Sequence, residues 1–339
     1  MRIMVVNSGV HFSVADVHTK LVKGLVLQGC TVADAPFDSY LDFFSGVHID
    51  RGGGLEQAVD GDTACRMAGS MLDSTAYRFD PDVVIVVASF FVPPEKYMLW
   101  RKKGLKVVLY CTESPYEDER QAWMASSADV VLVNDPTNLE LFRAVNKNTH
   151  YLPHCYDPDI HYPDEPDPEL GSDFFFVGTG YPSRQEFFEA VDWDGLDVKF
   201  AGNWRDAKGT VLEPFVVHDL AFCMDNLEAQ GFYRSTKASA NLYRKEAMSD
   251  DLVDGWSIGP REVELAATET FFLRESRGES DALFPTLPTF DSPSDFSEKL
   301  RWWLTHDDAR RDAARSARAA IADRTVTKTA QTVLRLINN

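Results

Sequence analysis

Short apolar runs alternate with amphipathic segments along the first part of the chain. Runs with few polar positions are typical of strands buried on both faces of a parallel sheet. They predict strands at Arg2–Asn7, Thr31–Ala35, Asp82–Ala88, Lys106–Cys111 and Val130–Asn134. Apolar residues at helical spacing predict helices between them at Val14–Gln28, Ala64–Phe79, Pro93–Lys103, Glu117–Ala125 and Pro136–Val145. This alternation predicts a doubly wound α/β domain. Its opening is of Rossmann type but lacks GxGxxG, which argues against a dinucleotide.

The alternation resumes after Tyr151–Gly171, a stretch rich in Pro and Asp that has no periodicity and that we interpret as a linker. Further strands are predicted at Asp173–Val177, Val198–Ala201 and Thr270–Leu273, and helices include Leu227–Lys245, Ser294–Thr305, Asp307–Ile321 and Val326–Ile337. The predicted organisation is an N-terminal Rossmann-like domain at residues 1–152, a linker at 153–172, a second Rossmann-like domain at 173–322 and a C-terminal helix at 323–339.

The net charge of −19 narrows the range of partners. Proteins that hold duplex DNA by its phosphates present a basic face, so the acidity disfavours DNA, although a local basic groove would still permit it. A nucleotide needs only a few local cations and backbone N–H groups.

The longest apolar run, Val83–Val92, is too short for a membrane span of ~20 residues. The start of the chain lacks a signal-peptide pattern, and the five scattered cysteines form no CxxC pair. We therefore expect a cytoplasmic protein with reduced thiols and no metal site.

Two glycines and an arginine follow the first strand of the second domain. The turn Gly178-Thr179-Gly180 lets the backbone approach a ligand, and the helix after it carries Arg184. A helix N-terminus and a guanidinium together suit an anion such as a phosphate. The alternative is an ordinary turn with a solvated arginine.

A set of polar residues recurs within the predicted helix Leu227–Lys245. Arg234, Lys237, Asn241 and Arg244 have spacings of 3, 4 and 3, which would place them on one helical face. Three cations on one face are unusual in so acidic a chain, and they would neutralise a diphosphate. The alternative is a solvated basic surface.

The stretch Gly259–Glu275 is the most informative part of the sequence. Pro260 is well suited to the first position of a helix, and Arg261 and Glu264 fall together on its polar face. A carboxylate there can accept hydrogen bonds from ribose hydroxyls, while a guanidinium can face phosphate. The alternative is a surface Arg–Glu pair.

The first domain offers two candidates for a general base. His11 lies in the loop after the first strand, and Glu113 follows another strand end. Either side chain has the chemistry to take a proton from an acceptor hydroxyl. Asp16 is expected to act first as a helix-cap partner.

Several segments together resemble the CgeB-like spore-maturation glycosyltransferases of actinobacteria and their phages. They are DFFFVGTGYPSRQEFFEA, FAGNW, NLEAQGFYRSTKASANLYR and IGPREVELAATETFFLRE, with FSVADV, LYCTESPYE and LPHCYDPDIHYP in the first domain. The resemblance implies the GT-B fold, in which two Rossmann-like domains face each other across a cleft and the C-terminal helix crosses back to the first. It implies a nucleotide-diphosphate sugar, UDP- or GDP-type, as donor substrate, and no metal or other cofactor.

The resemblance also implies roles for individual residues. Arg184 and Lys237 would bind the diphosphate, with Lys237 also in a catalytic role, and Glu264 would bind the ribose. Gly178 and Gly180 would allow close approach, Asn203 and Trp204 would lie near the base or sugar, and Asn241 and Arg261 would complete the donor site. Glu269 stands where related sequences usually have a small residue, so it would crowd or contact the donor sugar.

The expected activity is therefore transfer of a sugar to an acceptor hydroxyl without a metal. The acceptor stays open between a protein, a glycan, a small molecule and a modified nucleobase. Inverting chemistry would use His11 or Glu113 as base, whereas retaining chemistry would need no such base. The alternatives are a nucleotide-sugar epimerase on the same fold and a non-catalytic protein that binds nucleotide sugars or glycans.

Overall fold

A computed structural model describes residues 1–9, 15–50, 56–88, 90–218, 220, 224–246 and 255–338. The chain divides into two compact units. The first contains Met1–Cys155 and the C-terminal Val326–Asn339, and the second contains Tyr156–Leu252 and Trp256–Thr325. The segment that the sequence suggested as a linker therefore belongs largely to the second unit. No helix in the described part of the chain is long and apolar enough to cross a membrane.

The first unit is built on a six-stranded parallel sheet with the order β2-β1-β5-β6-β7-β8. Its strands are β1 Arg2–Val6, β2 Thr31–Ala35, β5 Val83–Val87, β6 Lys106–Cys111, β7 Val130–Val133 and β8 Thr149–Tyr151, and a separate hairpin pairs β3 His48–Asp50 with β4 Glu56–Ala58. The helices are α1 Ala15–Leu27, α2 Phe37–Ser45, α3 Gly61–Phe79, α4 Pro94–Lys102, α5 Asp118–Ala125, α6 Leu139–Val145 and α13 Val326–Asn338. The prediction of a doubly wound α/β domain is confirmed here.

The apolar strand β5 shows why this sheet is covered on both sides. All of its residues are buried. Because side chains alternate along a strand, Val84 and Val86 pack into one apolar layer, and Ile85 and Val87 pack into the other with residues of α1 and α13. Because neither face of such a strand is polar, helices must cover the sheet on both sides.

The second unit has a four-stranded parallel sheet with the order β10-β9-β11-β12. Its strands are β9 Ser172–Val177, β10 Val198–Ala201, β11 Thr236–Asn241 and β12 Phe272–Arg274. Its helices are α7 Pro182–Glu189, α8 Asn226–Ser235, α9 Pro260–Ala267, α10 Gly278–Leu283, α11 Pro293–Leu304 and α12 Asp307–Ala320. Aromatic rings fill much of the core, including Phe174, Phe176, Phe188, Phe200, Trp204 and Phe296.

The predicted helix Leu227–Lys245 is wrong beyond Ser235. The chain leaves α8 at that residue and continues as strand β11, which pairs with β9 on one side and β12 on the other. Ala238, Ser239 and Ala240 are buried, and their small side chains fit a strand enclosed between two neighbours. Pairing within the sheet outweighs the helix-like spacing of the polar residues in the sequence.

Other differences concern short elements. Helix α2 and the hairpin strand β3 were not predicted. The short strand β8 and the short helix α10 were not predicted. His11 and the predicted start of the first helix at Val14 lie outside the described residues.

The helices α1 and α13 approach closely within the first unit. A Cβ added at Gly24 would lie 2.5 Å from the carbonyl oxygen of Val326 and 3.0 Å from the Cβ of Ala330. The glycine therefore lets the two helix backbones come together, and α13 depends on this contact for its place on the sheet.

We expect Gly24→Ala to lower the free energy of unfolding by roughly 1–2 kcal/mol, because overpacking outweighs the gain in helix propensity. Urea unfolding would measure the change. Gly61→Ala in α3 is the matched control, since nothing lies within 4 Å of its added Cβ, and its stability should be unchanged or slightly raised. A similar loss in both variants would contradict the close contact between α1 and α13.

Candidate functional site

The strand order of the second unit marks one place where a ligand can bind. From β9 the chain passes to β10 on one side, and later to β11 on the other side. In open α/β sheets, ligands bind beyond the carboxyl ends of the strands where the strand order reverses in this way. Gly178 follows β9 there, Asn241 ends β11, and α9 begins nearby with Arg261 in its first turn.

Arg261 links the elements that meet at this edge. Its Nε donates to the carbonyl oxygen of Val177 at 2.9 Å, and its Nη1 donates to Oδ1 of Asn241 at 3.2 Å. The guanidinium lies over the ring of Phe176, 4.5 Å from its centre. These partners are all neutral, and within the described ranges no carboxylate forms an ion pair with Arg261. Within those ranges, no carboxylate therefore balances the positive charge of this half-buried side chain at the sheet edge.

Arg184 approaches the same place from α7. It is 7% exposed, and its guanidinium donates to the carbonyl oxygens of Thr179 at 3.0 Å and Leu242 at 2.7 Å. A Cβ on Gly178 would lie 2.2 Å from Nη2 of Arg261 and 3.5 Å from Nη1 of Arg184. Two guanidinium groups thus converge on one glycine, an arrangement that favours an anion.

The glycines at this edge are required by contacts within the protein. Gly178 has a φ of +154° and leaves room for the Arg261 guanidinium. Gly202, with a φ of +110°, packs against the backbone of Gly178, where a Cβ would lie 2.2 Å from its carbonyl oxygen. A Cβ on Gly180 would meet the ring of Trp204 at 2.5 Å. The turns after β9 and β10 are therefore held tightly together.

Asn241 presents a hydrogen-bond donor at the same edge. The residue is 3% exposed, and its Oδ1 accepts from Arg261. Its Nδ2 is buried and has no hydrogen-bond partner among the residues that the structure describes. A buried donor without a partner costs about 1–3 kcal/mol, so a ligand oxygen at this position would remove a penalty.

Glu264 lies about one turn after Arg261 along α9. It is 7% exposed, and its Oε1 is 3.7 Å from Nε2 of His161, which is 2% exposed. His161 lies in the segment LPHCYDPDIHYP, but its pairing with Glu264 could not be predicted, because the two residues are far apart along the chain and only the fold brings them together.

Glu262 is a second buried carboxyl group of α9 that the sequence analysis did not identify. It accepts hydrogen bonds from the Tyr243 hydroxyl at 2.5 Å, the Ser280 hydroxyl at 2.6 Å and the Gly259 N–H at 3.1 Å. Burial raises the pKa of Glu262, although these hydrogen bonds act to lower it. Its position three residues after the N-cap, returning to the N-cap N–H, is half of a capping box, and it fixes the first turn of α9.

A family model described as glycosyl transferase-like matches residues 184–335. This part of the chain is therefore similar to glycosyl transferase-like proteins. The match includes Arg184, Asn241, Arg261 and Glu264, whereas the turn Gly178-Thr179-Gly180 lies before it. No curated protein matches the chain.

Solved structures similar to the whole chain show the fold. A sucrose-phosphate synthase from Thermosynechococcus elongatus has a TM-score of 0.65 and 12% identity, covering 100% of this chain and 98% of that one. A glycosyltransferase from Rickettsia africae has a TM-score of 0.63 and 11% identity, covering 99% and 97%. A protein described as a UDP-N-acetylglucosamine 2-epimerase from Listeria monocytogenes has a TM-score of 0.63 and 14% identity, covering 99% and 95%.

The predicted α/β fold with two Rossmann-like domains of the GT-B type is thereby confirmed. Identities this low establish the fold alone. The family match and the fold together support a glycosyltransferase that uses a nucleotide sugar.

Within this domain, the predicted stripe of polar residues does not exist as a helical face. Lys237 lies on β11 and is exposed, and its Nζ pairs with Asp173 at 2.8 Å. It is near the amino end of the strand, roughly 13 Å from Asn241 along an extended chain. Arg234 ends α8 and donates to the carbonyl oxygens of Ile160 and Tyr162. Arg244 lies over the ring of Tyr181, 5.3 Å from its centre.

The structure places Glu269, which was predicted to crowd or contact the donor sugar, away from the proposed ligand edge. Glu269 follows the C-terminal end of α9 with a φ of +57°, and its carboxylate is 3.5 Å from Arg318 on α12. The predicted ligand edge is at the opposite end of α9, where Arg261 stands. Trp204 is also not available to a ligand, because its ring is fully buried in the aromatic core. Asn203 remains partly exposed beside it.

In the first unit, Glu113 follows β6 and is partly buried. Its carbonyl oxygen accepts from the N–H groups of Tyr116 and Glu117. Nearby, burial raises the pKa of Asp118, which accepts from Asn138 at 2.6 Å. Over the described ranges, no group of three or more His, Cys, Asp or Glu side chains is arranged to hold a metal ion.

The raised pKa of Glu262 predicts how stability changes with pH. Above the ordinary value of 4.5, the unfolded chain releases this proton while the folded protein keeps it, so Glu262 makes the folded state less stable as pH rises. Glu262→Gln removes this ionisation. We expect the variant to gain stability relative to the original protein between pH 4.5 and the raised folded-state pKa.

Urea unfolding of both proteins from about pH 4 to pH 7 would measure this difference. Glu298→Gln, which removes an exposed carboxyl group from α11, is the matched control. Parallel curves for the original protein and the Glu262 variant would contradict the assignment.

Proposed function

We propose that this chain transfers a sugar from a nucleotide-diphosphate sugar to an acceptor hydroxyl, with the donor at the carboxyl edge of the second sheet. The observation that carries the proposal is the Arg261 guanidinium, held at that edge by neutral partners only among the described residues. In a protein with a net charge of −19, such a cation is well suited to a dianionic ligand. Arg184, which converges on the same glycine, is the second diphosphate ligand.

The contacts proposed for the rest of the donor molecule are based on the order of the residues along α9. The N–H groups of its first turn and Arg261 face the phosphates. Glu264 accepts from the ribose hydroxyls, and the Nδ2 of Asn241 donates to a phosphate or sugar oxygen. Asn203, partly exposed after β10, is near the base or the sugar. Lys237 has no part in this assignment, since it lies at the other end of its strand.

The proposed reaction breaks the bond between the anomeric carbon and the diphosphate oxygen, and it forms a bond from that carbon to the acceptor oxygen. The nucleoside diphosphate leaves with the bonding electrons, and the acceptor hydroxyl loses its proton. Arg184 and Arg261 stabilise the negative charge of the leaving group, which is the task that a metal performs elsewhere, so we propose that no metal is needed. Inverting chemistry would assign the proton to His11 or Glu113.

We further propose that the protein belongs to the CgeB-like branch of actinobacteria and their phages, that it acts in the cytoplasm (that of the host if phage-encoded), and that its donor is a UDP- or GDP-type sugar. The segments that resemble this branch extend over both units. The acceptor is a protein, a glycan, a small molecule or a modified nucleobase, and the acidity of the chain makes duplex DNA the less favoured choice.

Two other functions remain as alternatives. An epimerase is considered because a structure described as a UDP-N-acetylglucosamine 2-epimerase has the same fold, but that likeness fits no better than the likeness to transferases. A non-catalytic binding protein was suggested by Glu269, and the ion pair of Glu269 with Arg318 removes that reason. Release of free sugar from the donor without an acceptor would favour a transferase.

Arg261→Met should weaken binding of the nucleoside diphosphate by about tenfold to a hundredfold, the scale of a charged hydrogen-bond partner. Binding of the matching nucleoside should change much less, because it carries no phosphate. Lys237→Met is the matched control and should leave both affinities unchanged. Isothermal titration calorimetry would measure them, and equal losses for nucleotide and nucleoside would contradict the phosphate role.

A thermal-shift panel of UDP, GDP, ADP, TDP and CDP, with and without EDTA, tests the donor class. A ligand at 100 times its dissociation constant should stabilise the fold by about 2.7 kcal/mol. We expect one diphosphate to raise the melting temperature clearly, and EDTA to leave that shift unchanged. No shift with any nucleotide would count against the donor site, and a shift abolished by EDTA would refute metal independence.

A further inference from the structure

His161 faces Glu264 from outside the sheet edge, in the segment that follows the first unit along the chain. The two side chains are almost completely buried, and Nε2 of His161 is 3.7 Å from Oε1 of Glu264. We propose that His161 is a positioning residue that orients the Glu264 carboxylate toward the ribose of the donor. This inference rests on the proposed function and names a residue that acts on the ligand through Glu264.

The backbone around His161 is held in place before any ligand binds. A turn closes where the N–H groups of Ile160 and His161 donate to the carbonyl oxygen of Asp157, at 3.1 and 2.7 Å. The imidazole Nδ1 also contacts the backbone of Asp157, 3.1 Å from its oxygen and 3.3 Å from its nitrogen. These contacts fix the ring so that Nε2 is directed to Glu264.

Arg234 fixes the same turn from α8. Its guanidinium donates to the carbonyl oxygens of Ile160 and Tyr162, the residues on either side of His161. It also lies over the Tyr162 ring, 4.0 Å from its centre. One arginine thus holds the backbone on both sides of the histidine, and α8 and α9 are linked through this turn.

A histidine held in one position can orient a carboxylate that binds hydroxyl groups. A buried carboxylate with several rotamers would lose side-chain entropy when it binds a ribose. When Nδ1 accepts from the Asp157 N–H, the ring proton is on Nε2. This N–H beside Oε1 then favours one orientation of the carboxylate electrostatically, at a separation longer than a hydrogen bond. Because a carboxylate has about four acceptor positions, Glu264 can face His161 and still accept from two ribose hydroxyls.

The test compares ribose recognition with general nucleotide affinity. Isothermal titration calorimetry would give the dissociation constants of UDP and GDP, each beside its 2′,3′-dideoxy analogue. For the nucleotide that binds, we expect the original protein to prefer the ribose form by about tenfold. Glu264→Gln should remove most of that preference, and His161→Leu should reduce it to a few-fold while the affinity for the dideoxy form stays the same.

Two comparisons separate positioning from a general loss of structure. His161→Gln restores a polar group beside Glu264 and should recover part of the preference, which also carries the test if the leucine variant is unstable. The double variant of His161→Leu and Glu264→Gln should lose no more than Glu264→Gln alone, because His161 acts through Glu264. His306→Leu, at an exposed histidine before α12, is the control.

The outcomes distinguish this inference from the proposed function. If the original protein binds neither UDP nor GDP, the donor assignment fails. If it binds with a ribose preference that Glu264→Gln removes but His161→Leu and His161→Gln both retain, the donor site stands and the role of His161 is refuted. Equal losses for the ribose and dideoxy forms in the His161 variants would also refute it.

Discussion

The Arg261 side chain is the interaction on which the edge of the second sheet depends. It bonds to the end of β9 through Val177 and to the end of β11 through Asn241, and it stacks on Phe176. It also occupies the space that a side chain at Gly178 would need. The backbone of Gly178 in turn requires a glycine at position 202 after β10. One guanidinium therefore sets the spacing of three strand ends and the start of α9.

The partners of this half-buried arginine differ from those of two other arginines in the same unit. Arg274 pairs with Asp281, and Arg324 pairs with Glu279, so their charges are compensated within the protein. Arg261 bonds only to neutral oxygens in the described part of the chain. Partly burying a cation without a carboxylate is costly, and the proposed diphosphate would supply the missing negative charge. Arg261 also lies where the strand order of the sheet reverses, which is independently the place where open α/β sheets bind ligands.

Much of the fold and part of the site could be predicted from the sequence. Arg184 and Arg261 lie in the first turns of their helices, at positions that converge in a parallel sheet, and Glu264 lies about one turn after Arg261 in α9. Lys237 was misplaced because β11 is made of small and polar residues and the spacing of its polar residues resembles that of a helix. Only the pairing with β9 and β12 reveals a strand. Trp204 was misplaced because a sequence does not show whether an aromatic ring after a strand turns inward or outward.

His161 and Glu262 illustrate a different limit. Their roles depend on contacts with residues distant in sequence, and neither carries a local pattern that marks it. Glu269 shows the opposite limit. It was singled out as an unusual residue in a recognisable motif, but it lies just after the C-terminal end of α9, whereas Arg261 is at the N-terminal end. Local signals identify the residues that a helix or strand end presents, whereas the side chains that hold those residues in place are visible only in three dimensions.

Helix α9 carries both the residues proposed to bind the donor and a residue that holds the helix in place. Glu262 is buried and holds the first turn through Tyr243, Ser280 and Gly259, while Arg261 extends to the sheet edge and Glu264 faces His161. The charged groups proposed to meet the donor are thus anchored by backbone carbonyls, a buried carboxyl and an imidazole before the donor arrives. Electrostatic stabilisation of a leaving diphosphate is most effective when the stabilising groups need not reorganise during the reaction. The anchoring of α9 by these contacts therefore fits the proposed chemistry, in which protein cations stabilise the leaving diphosphate.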